Sequence, residues 1–268
     1  MVKIIVIGAA GRMGRQVIAE ATRDKDVRVV GGVDGPGLPD IGVDLGILAR
    51  VDPLGVAATD DLESIIGEAD VLVEFTTPQA TVEHAQMASQ HEKPIVIGTT
   101  GLDSEQLAVV RRVAERIPVL MSPNMSVGIN LLLKILPLVA RALGGGYDVE
   151  IIEAHHRMKK DAPSGTALKL AEVIADALNA ELDQVATYGR KGIAPRAEGE
   201  IGLHAVRGGG IVGDHSVIFV NESEQIEIAH RAFSRQTLAL GAIRAAKFIA
   251  NQPPGLYTML DVLSHDIG

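Results

Sequence analysis

The apolar, β-branched run Ile4–Ile7 passes directly into Gly8-Ala9-Ala10-Gly11-Arg12-Met13-Gly14, and Met13, Val17, Ile18 and Ala21 then recur at the three-to-four spacing of a helix face. Three glycines at that junction permit a tight turn and let main-chain amides approach a bound group at the positive end of a helix. Four more β-rich runs follow, Val27–Val33, Val71–Phe75, Ile95–Ile97 and Val119–Met121, with a second helical pattern at Leu107, Val110, Val113 and Ala114. Strand, helix and strand in alternation predict a parallel sheet covered on both faces, a doubly wound α/β domain of the Rossmann type.

In such a sheet, ligands bind beyond the carboxyl ends of the strands. The glycine turn then reads as a cradle for the pyrophosphate of a dinucleotide. Asp34, at the end of the second strand, stands where an acidic side chain bonds an adenosine ribose hydroxyl. The spacing is G-x-x-G-x-x-G where the usual fingerprint is G-x-G-x-x-G, so an ordinary strand-to-helix turn is the competing reading. Asp34 favours an unphosphorylated ribose, whereas Arg12 could reach a 2′-phosphate, which leaves NADH and NADPH both open. Two later turns, Gly98-Thr99-Thr100-Gly101 and Ser122-Pro123-Asn124-Met125, each follow a predicted strand and are candidates to close over the nicotinamide half.

After about residue 147 the pattern changes. Val149–Ala154 reads as a strand and Thr166–Leu178 as an amphipathic helix; Ile201–Val206, His215–Val220 and Ile226–Ala229 then follow as strands joined by short turns. This predicts a smaller α+β domain with a mixed sheet. Arg235–Ala250 returns to helical spacing and is expected to pack back on the first domain. The expected division is therefore 1–126 with 236–268 for dinucleotide binding, and 127–235 for substrate binding and oligomerisation. The stretch Gly35–Gly55, rich in Gly, Pro and Asp, reads as a long loop.

Composition narrows the partners. A formal net charge of −9 and no basic run disfavour nucleic acid. The chain has no cysteine, which excludes disulfides and thiolate chemistry and points to a reducing, cytoplasmic setting. Ser126–Leu143 is the most apolar long segment, but Lys134 and Arg141 interrupt it, so no membrane span is expected.

The chemistry concentrates between Glu150 and Ala167, in Glu150-Ile151-Ile152-Glu153-Ala154-His155-His156-Arg157-Met158-Lys159-Lys160-Asp161-Ala162-Pro163-Ser164-Gly165-Thr166-Ala167. A strand leads into a cationic loop and then into a helix start. His155 or His156 can exchange a proton near neutrality, Lys159 can supply charge or a proton, and Gly165 and Thr166 open a helix whose free amides suit a carboxylate. Each feature alone has a plainer reading, as a surface histidine pair, a solvated Lys-Lys pair or a helix cap. A metal site drawn from His155, His156, His204, His215 and His230 is a further reading, without cysteine or an H-x-x-x-H helix spacing to support it.

Glu150–Ala167 fits at every specified position the signature E-[IV]-x-E-x-H-x-x-x-K-x-D-x-P-S-G-T-A, and in this the chain resembles the 4-hydroxy-tetrahydrodipicolinate reductase family of lysine and diaminopimelate biosynthesis. The turns at Gly8–Gly14 and Gly98–Gly101, and the run from Glu200 through Arg207-Gly208-Gly209 to Gly213-Asp214-His215, carry the resemblance further. The resemblance implies that His155 is the acid/base residue and Lys159 a proton donor, and that His156, Gly165 and Thr166 bind a cyclic dicarboxylate. It implies dinucleotide contacts from Gly8, Ala9, Ala10, Gly11, Arg12, Met13, Asp34, Gly98, Thr99, Thr100, Ser122, Pro123, Asn124 and Met125. It also implies a homotetramer. Many members carry a basic residue after the ribose-binding acid where this chain has Gly35. Two other functions compete: another small-substrate oxidoreductase on the same scaffold, and a non-catalytic dinucleotide sensor, which would leave the cluster from His155 to Thr166 unexplained.

Overall fold

The protein is described here by a computed structural model covering residues 1–267. In chain order the elements are β1 (Val2–Ile7), α1 (Arg12–Ala21), β2 (Val27–Val33), α2 (Leu45–Ala49), β3 (Ala58–Thr59), α3 (Leu62–Ile65), β4 (Val71–Glu74), α4 (Pro78–Gln90), β5 (Ile95–Ile97), α5 (Ser104–Ala114), β6 (Pro118–Met121) and α6 (Val127–Leu143). Then come β7 (Asp148–His155), α7 (Gly165–Ala177), α8 (Leu182–Val185), β8 (Ala186–Tyr188), β9 (Ile201–Arg207), β10 (Gly213–Val220), β11 (Gln225–Ala232), α9 (Gln236–Ile249), β12 (Gly255–Tyr257) and α10 (Met259–Ile267). Contacts divide them into two units: Met1–Val127 with the chain from Arg235 onward, and Gly128–Ser234.

The first unit holds a seven-stranded parallel sheet in the order β12-β6-β5-β4-β1-β2-β3. Successive residues of β1 face opposite ways, as strand geometry requires. Ile4 and Val6 enter one core with α1 and α9, while Ile5 and Ile7 enter another with α4 and α5. Helices on both faces explain why β1 reads as a continuous apolar run instead of an alternating one. The chain turns to opposite sides after β1, toward β2 and later toward β4, so the crevice at the switch of strand order lies at the carboxyl end of β1.

The second unit holds a five-stranded mixed sheet in the order β11-β10-β7-β9-β8. β7 pairs parallel with β9 and antiparallel with β10. One face is covered: Val149, Ile151, Ile201, Leu203, Val217 and Phe219 pack against Leu132 and Leu136 of α6 and Leu170 and Ile174 of α7. Val127–Gly146 is long and apolar enough to cross a membrane by length and composition, and one of its faces places Leu132, Leu136 and Ala140 in this core.

The predicted loop Gly35–Gly55 is corrected in one respect, because it contains the five-residue helix α2. Asp44 organises it, its carboxylate accepting from the amides of Gly46 at 2.7 Å, Leu54 at 3.0 Å and Gly55 at 2.7 Å. A helix this short has too few turns to register as periodicity.

Two of the cradle glycines are sterically required. Gly8 has φ +83°, and a Cβ there would lie 2.4 Å from the carbonyl oxygen of Phe75. A Cβ on Gly14 would lie 2.1 Å from the carbonyl oxygen of Gly8, so α1 packs on the turn only without one. We expect Gly14→Ala to destabilise the protein by about 1–3 kcal/mol through overpacking. Gly67→Ala, with nothing within 4 Å of the added carbon, should change stability by less than about 0.5 kcal/mol. Urea unfolding of the two variants makes the comparison, and equal midpoints would refute the steric account.

Candidate active site

In the first unit, the candidate dinucleotide residues all lie at the carboxyl ends of β1, β2, β5 and β6. The N-cap of α1 is Gly11, and no side chain caps it, as is also true of α8 and α9, whereas Asp44, Asp61, Thr77, Asp103 and Ser164 cap α2, α3, α4, α5 and α7. An uncapped helix start behind a turn that admits no Cβ suits a pyrophosphate, which would complete the amides that a cap otherwise satisfies. Asp34 accepts from the amides of Ala10 and Gly35, each at 2.8 Å, so its carboxylate is tied to the cradle. Arg12 is exposed and Met13 half-buried beside it, while Gly8 and Ala9 are buried.

The later turns are held from beneath. Thr99 is buried, and its hydroxyl accepts from the Thr76 amide at 3.1 Å. Below it, the fully buried Glu74 accepts from the Thr76 amide at 2.7 Å and bonds His84 Nδ1 at 2.7 Å. Gly98 lies against the Phe75 ring, 2.1 Å from where its Cβ would stand, and Thr100 is exposed. Ser122 donates to the carbonyl of Asn124 at 2.8 Å, and Pro123 is exposed. Met125 is only 2% exposed and its side chain belongs to the core with α9, so a contact to a dinucleotide from this position is confined to the main chain.

In the second unit, strand alternation builds the chemistry. The face of β7 that sends Val149 and Ile151 into the core carries Glu153 and His155 at its far end. Register supplies their neighbours: His215 of β10 lies opposite Glu153, and Arg207 of β9 opposite His155. Glu153, 1% exposed, is bound by the Arg207 guanidinium through both oxygens, at 2.7 and 2.8 Å. It also accepts from the Ser164 amide at 2.9 Å and bonds His155 Nδ1 at 2.6 Å. A carboxylate only accepts, so Nδ1 carries the proton and Nε2 is the nitrogen left for exchange. Gly213 faces that nitrogen, with the position of a Cβ 3.1 Å from Nε2.

The cationic loop is pinned to the turn after β9, with the Gly208 amide donating to the His155 carbonyl at 3.0 Å and Arg207 to the Asp161 carbonyl at 2.7 Å. Lys159 pairs with Asp161 at 3.0 Å, and that hydrogen bond holds the Asp161 carboxyl below the usual range. His156 is half-buried. Ser164 caps α7, while Gly165 is exposed with open space where its Cβ would be, and Thr166 follows in the first turn.

Burial pushes the Glu153 carboxyl up, but the hydrogen bonds from Arg207 and His155 outweigh it and hold the group ionised, below its ordinary value. Burial and the neighbouring His155 push His215 down to about 4, so His215 is neutral near pH 7. Its Nε2 bonds the Ser164 hydroxyl at 3.2 Å, and its ring meets that of His155 edge-on at 5.2 Å. The five histidines of the metal reading are divided. His204 lies on the opposite face and bonds Glu150 at 2.7 Å, and among the described residues no group of three or more His, Cys, Asp or Glu side chains is arranged to hold a metal ion.

Glu153, Arg207, His215 and Glu74 were not singled out from sequence as acting together. The signal for Glu153 was present, since residues i and i+2 of a strand share a face. Arg207 and His215 join it only through pairing register.

Below about pH 6.5 the unfolded chain protonates His215 while the folded protein refuses the proton until about pH 4. Stability is therefore lost as pH falls through this window, by on the order of 3 kcal/mol. Urea unfolding across the window should show a slope in the wild type that is clearly reduced in His215→Gln; identical slopes would contradict a neutral buried His215.

Comparison with known proteins identifies the family. The family description "Dihydrodipicolinate reductase, N-terminus" matches residues 2–125, and "Dihydrodipicolinate reductase, C-terminus" matches residues 128–263. A 4-hydroxy-tetrahydrodipicolinate reductase of Rubrobacter xylanophilus is 53% identical over 98% of this chain and 99% of its own length. One from Chromohalobacter salexigens is 49% identical over 98% of each. Among solved structures, a dipicolinate-bound dihydrodipicolinate reductase from Paenisporosarcina sp. TG-14 superposes with a TM-score of 0.77 at 27% identity, covering 96% of this chain and 97% of that one. The chain therefore belongs to the dihydrodipicolinate reductase family, whose curated members are named 4-hydroxy-tetrahydrodipicolinate reductases.

Proposed function

We propose that this protein reduces 4-hydroxy-tetrahydrodipicolinate to tetrahydrodipicolinate with loss of water, in lysine and diaminopimelate biosynthesis. The observation that carries the reading is the 53% identity, over 98% of the chain, to a relative named for that activity. The paired Glu153 and His155 beside the start of α7 support it, because they provide a proton-handling group next to an anion site.

A reduced nicotinamide dinucleotide, bound at the cradle from Gly8 to Met13 with Asp34, Gly98 to Thr100 and Ser122 to Met125, supplies the hydride when present. The residues of the second unit do the rest. His156, Gly165 and Thr166 grip the substrate carboxylates, which fits the dipicolinate bound to the Paenisporosarcina relative. Once the 4-hydroxyl has left as water, hydride addition to the conjugated ring builds negative charge there. A single proton neutralises it, given by Lys159 or by His155 from Nε2 once that nitrogen has taken one up. For the dinucleotide itself, both contacts to the Asp34 carboxylate come from main-chain amides, and the next residue is Gly35. The negative charge opposes a 2′-phosphate, so NADH is the preferred donor.

Assembly belongs to the same reading. The uncovered face of the second sheet exposes Ile152 by 39% and Val206 by 48%, apolar area suited to contact between copies in a homotetramer. The absence of cysteine suits a cytoplasmic enzyme.

Purified protein should oxidise NADH faster than NADPH when given freshly made 4-hydroxy-tetrahydrodipicolinate, and no turnover with either would defeat the proposal. We expect Lys159→Ala to lower kcat by about 100-fold with little change in KM. Thr166→Ala should raise KM by about tenfold with kcat nearly unchanged. Near-wild-type kinetics in both variants would remove these residues from the mechanism.

A further inference from the structure

We infer that Glu153 is a positioning residue that sets which nitrogen of His155 carries its proton and, through the same carboxylate, ties that ring to the start of α7; this rests on the proposed role of His155. The four donors divide evenly between the two oxygens. Oε1 takes the Ser164 amide at 2.9 Å and one Arg207 nitrogen at 2.7 Å. Oε2 takes His155 Nδ1 at 2.6 Å and the other Arg207 nitrogen at 2.8 Å. Each interaction restricts the others. Arg207 fixes the plane of the carboxylate, the Ser164 amide fixes the helix start against it, and the remaining direction is filled by the imidazole.

A purely structural ion pair would need only Glu153 and Arg207. The His155 contact adds something a structural pair does not require: an ionised, acceptor-only partner compels the Nδ1–H tautomer and leaves Nε2 able to take a proton and, once protonated, to give it up. The edge-on ring of His215 and the bare Cα of Gly213 then bound the imidazole on other sides. The same carboxylate thus coordinates proton transfer with carboxylate binding, because Ser164 immediately precedes Gly165 and Thr166.

Glu153→Gln tests this directly. The amide oxygen is expected to stay at the Oε1 position, because the Ser164 amide and Arg207 can only donate there, whereas at the Oε2 position the imidazole Nδ1 can change from donor to acceptor. That puts the amide NH2 opposite Nδ1, where it donates and drives the imidazole proton to Nε2. In 15N spectra of the neutral ring, His155 should therefore change from the Nδ1–H to the Nε2–H tautomer. With substrate, kcat should fall by about tenfold or more. In a His155→Gln background the same change should alter kcat by less than about twofold, since Glu153 acts through the ring that is gone. Glu153→Asp keeps the cycle readable if Glu153→Gln fails to fold: its shortened carboxylate reaches the ring less well, so it too should lower kcat with His155 present and not without it. An unchanged tautomer in folded Glu153→Gln, or equal losses of kcat with and without His155, would overturn the inference. Wild-type kcat in His155→Gln alone would instead overturn the functional reading beneath it.

Discussion

A carboxylate removed almost entirely from water has to be matched by charge and by donors, or the fold carries an uncompensated penalty of several kcal/mol. Glu153 meets that condition with a bidentate arginine, a main-chain amide and an imidazole, drawn from β9, the start of α7 and its own strand. These partners lie far apart in sequence, so satisfying one side chain specifies the pairing of β7 with β9 and the entry of the chain into α7. The residues proposed for chemistry are arranged around that condition. His155 is its partner, Ser164 is its amide donor, and the loop bearing Lys159 is tied down by the same arginine through the Asp161 carbonyl.

The second sheet makes this possible through a gradient along one face. On β7, β9 and β10 the covered side chains are apolar under α6 and α7, and become polar where the helices no longer lie over them, at Glu153, His155, Arg207 and His215. Hydrophobic burial sets the register, and the register delivers the polar groups. In the first unit the division of labour is different. Its sheet is buried on both faces, and its chemistry is confined to main chain and turns at the carboxyl edge, where glycine is needed because a side chain would strike a carbonyl oxygen.

Much of this was legible before any coordinates. The doubly wound sheet follows from β-branched runs alternating with helical spacing, and the mixed second sheet from short-turn strands after a change of pattern. Other parts were not. The short helix α2 escaped because five residues give no period, and the strand β12 because three residues resemble any loop. Glu74 reads in sequence as the end of a strand, yet it is fully buried beneath the 98–101 turn with His84 and Thr76 as partners. Met125 reads as part of a ligand turn, and its side chain lies in the core, since a sequence window does not reveal which way an irregular segment points.

The sequence by itself determined the local chemistry: a glycine turn between strand and helix, an acid at the end of the second strand, and a histidine, lysine and helix start within one short segment. These follow from neighbours along the chain, whose geometry is set by backbone sterics and side-chain alternation. Only the tertiary structure decided that His155 presents Nε2 and that His215 stays neutral. It likewise decided that His204 belongs to the other face of the sheet, because tautomer, burial and facing depend on charges and walls brought in by strands from elsewhere in the chain.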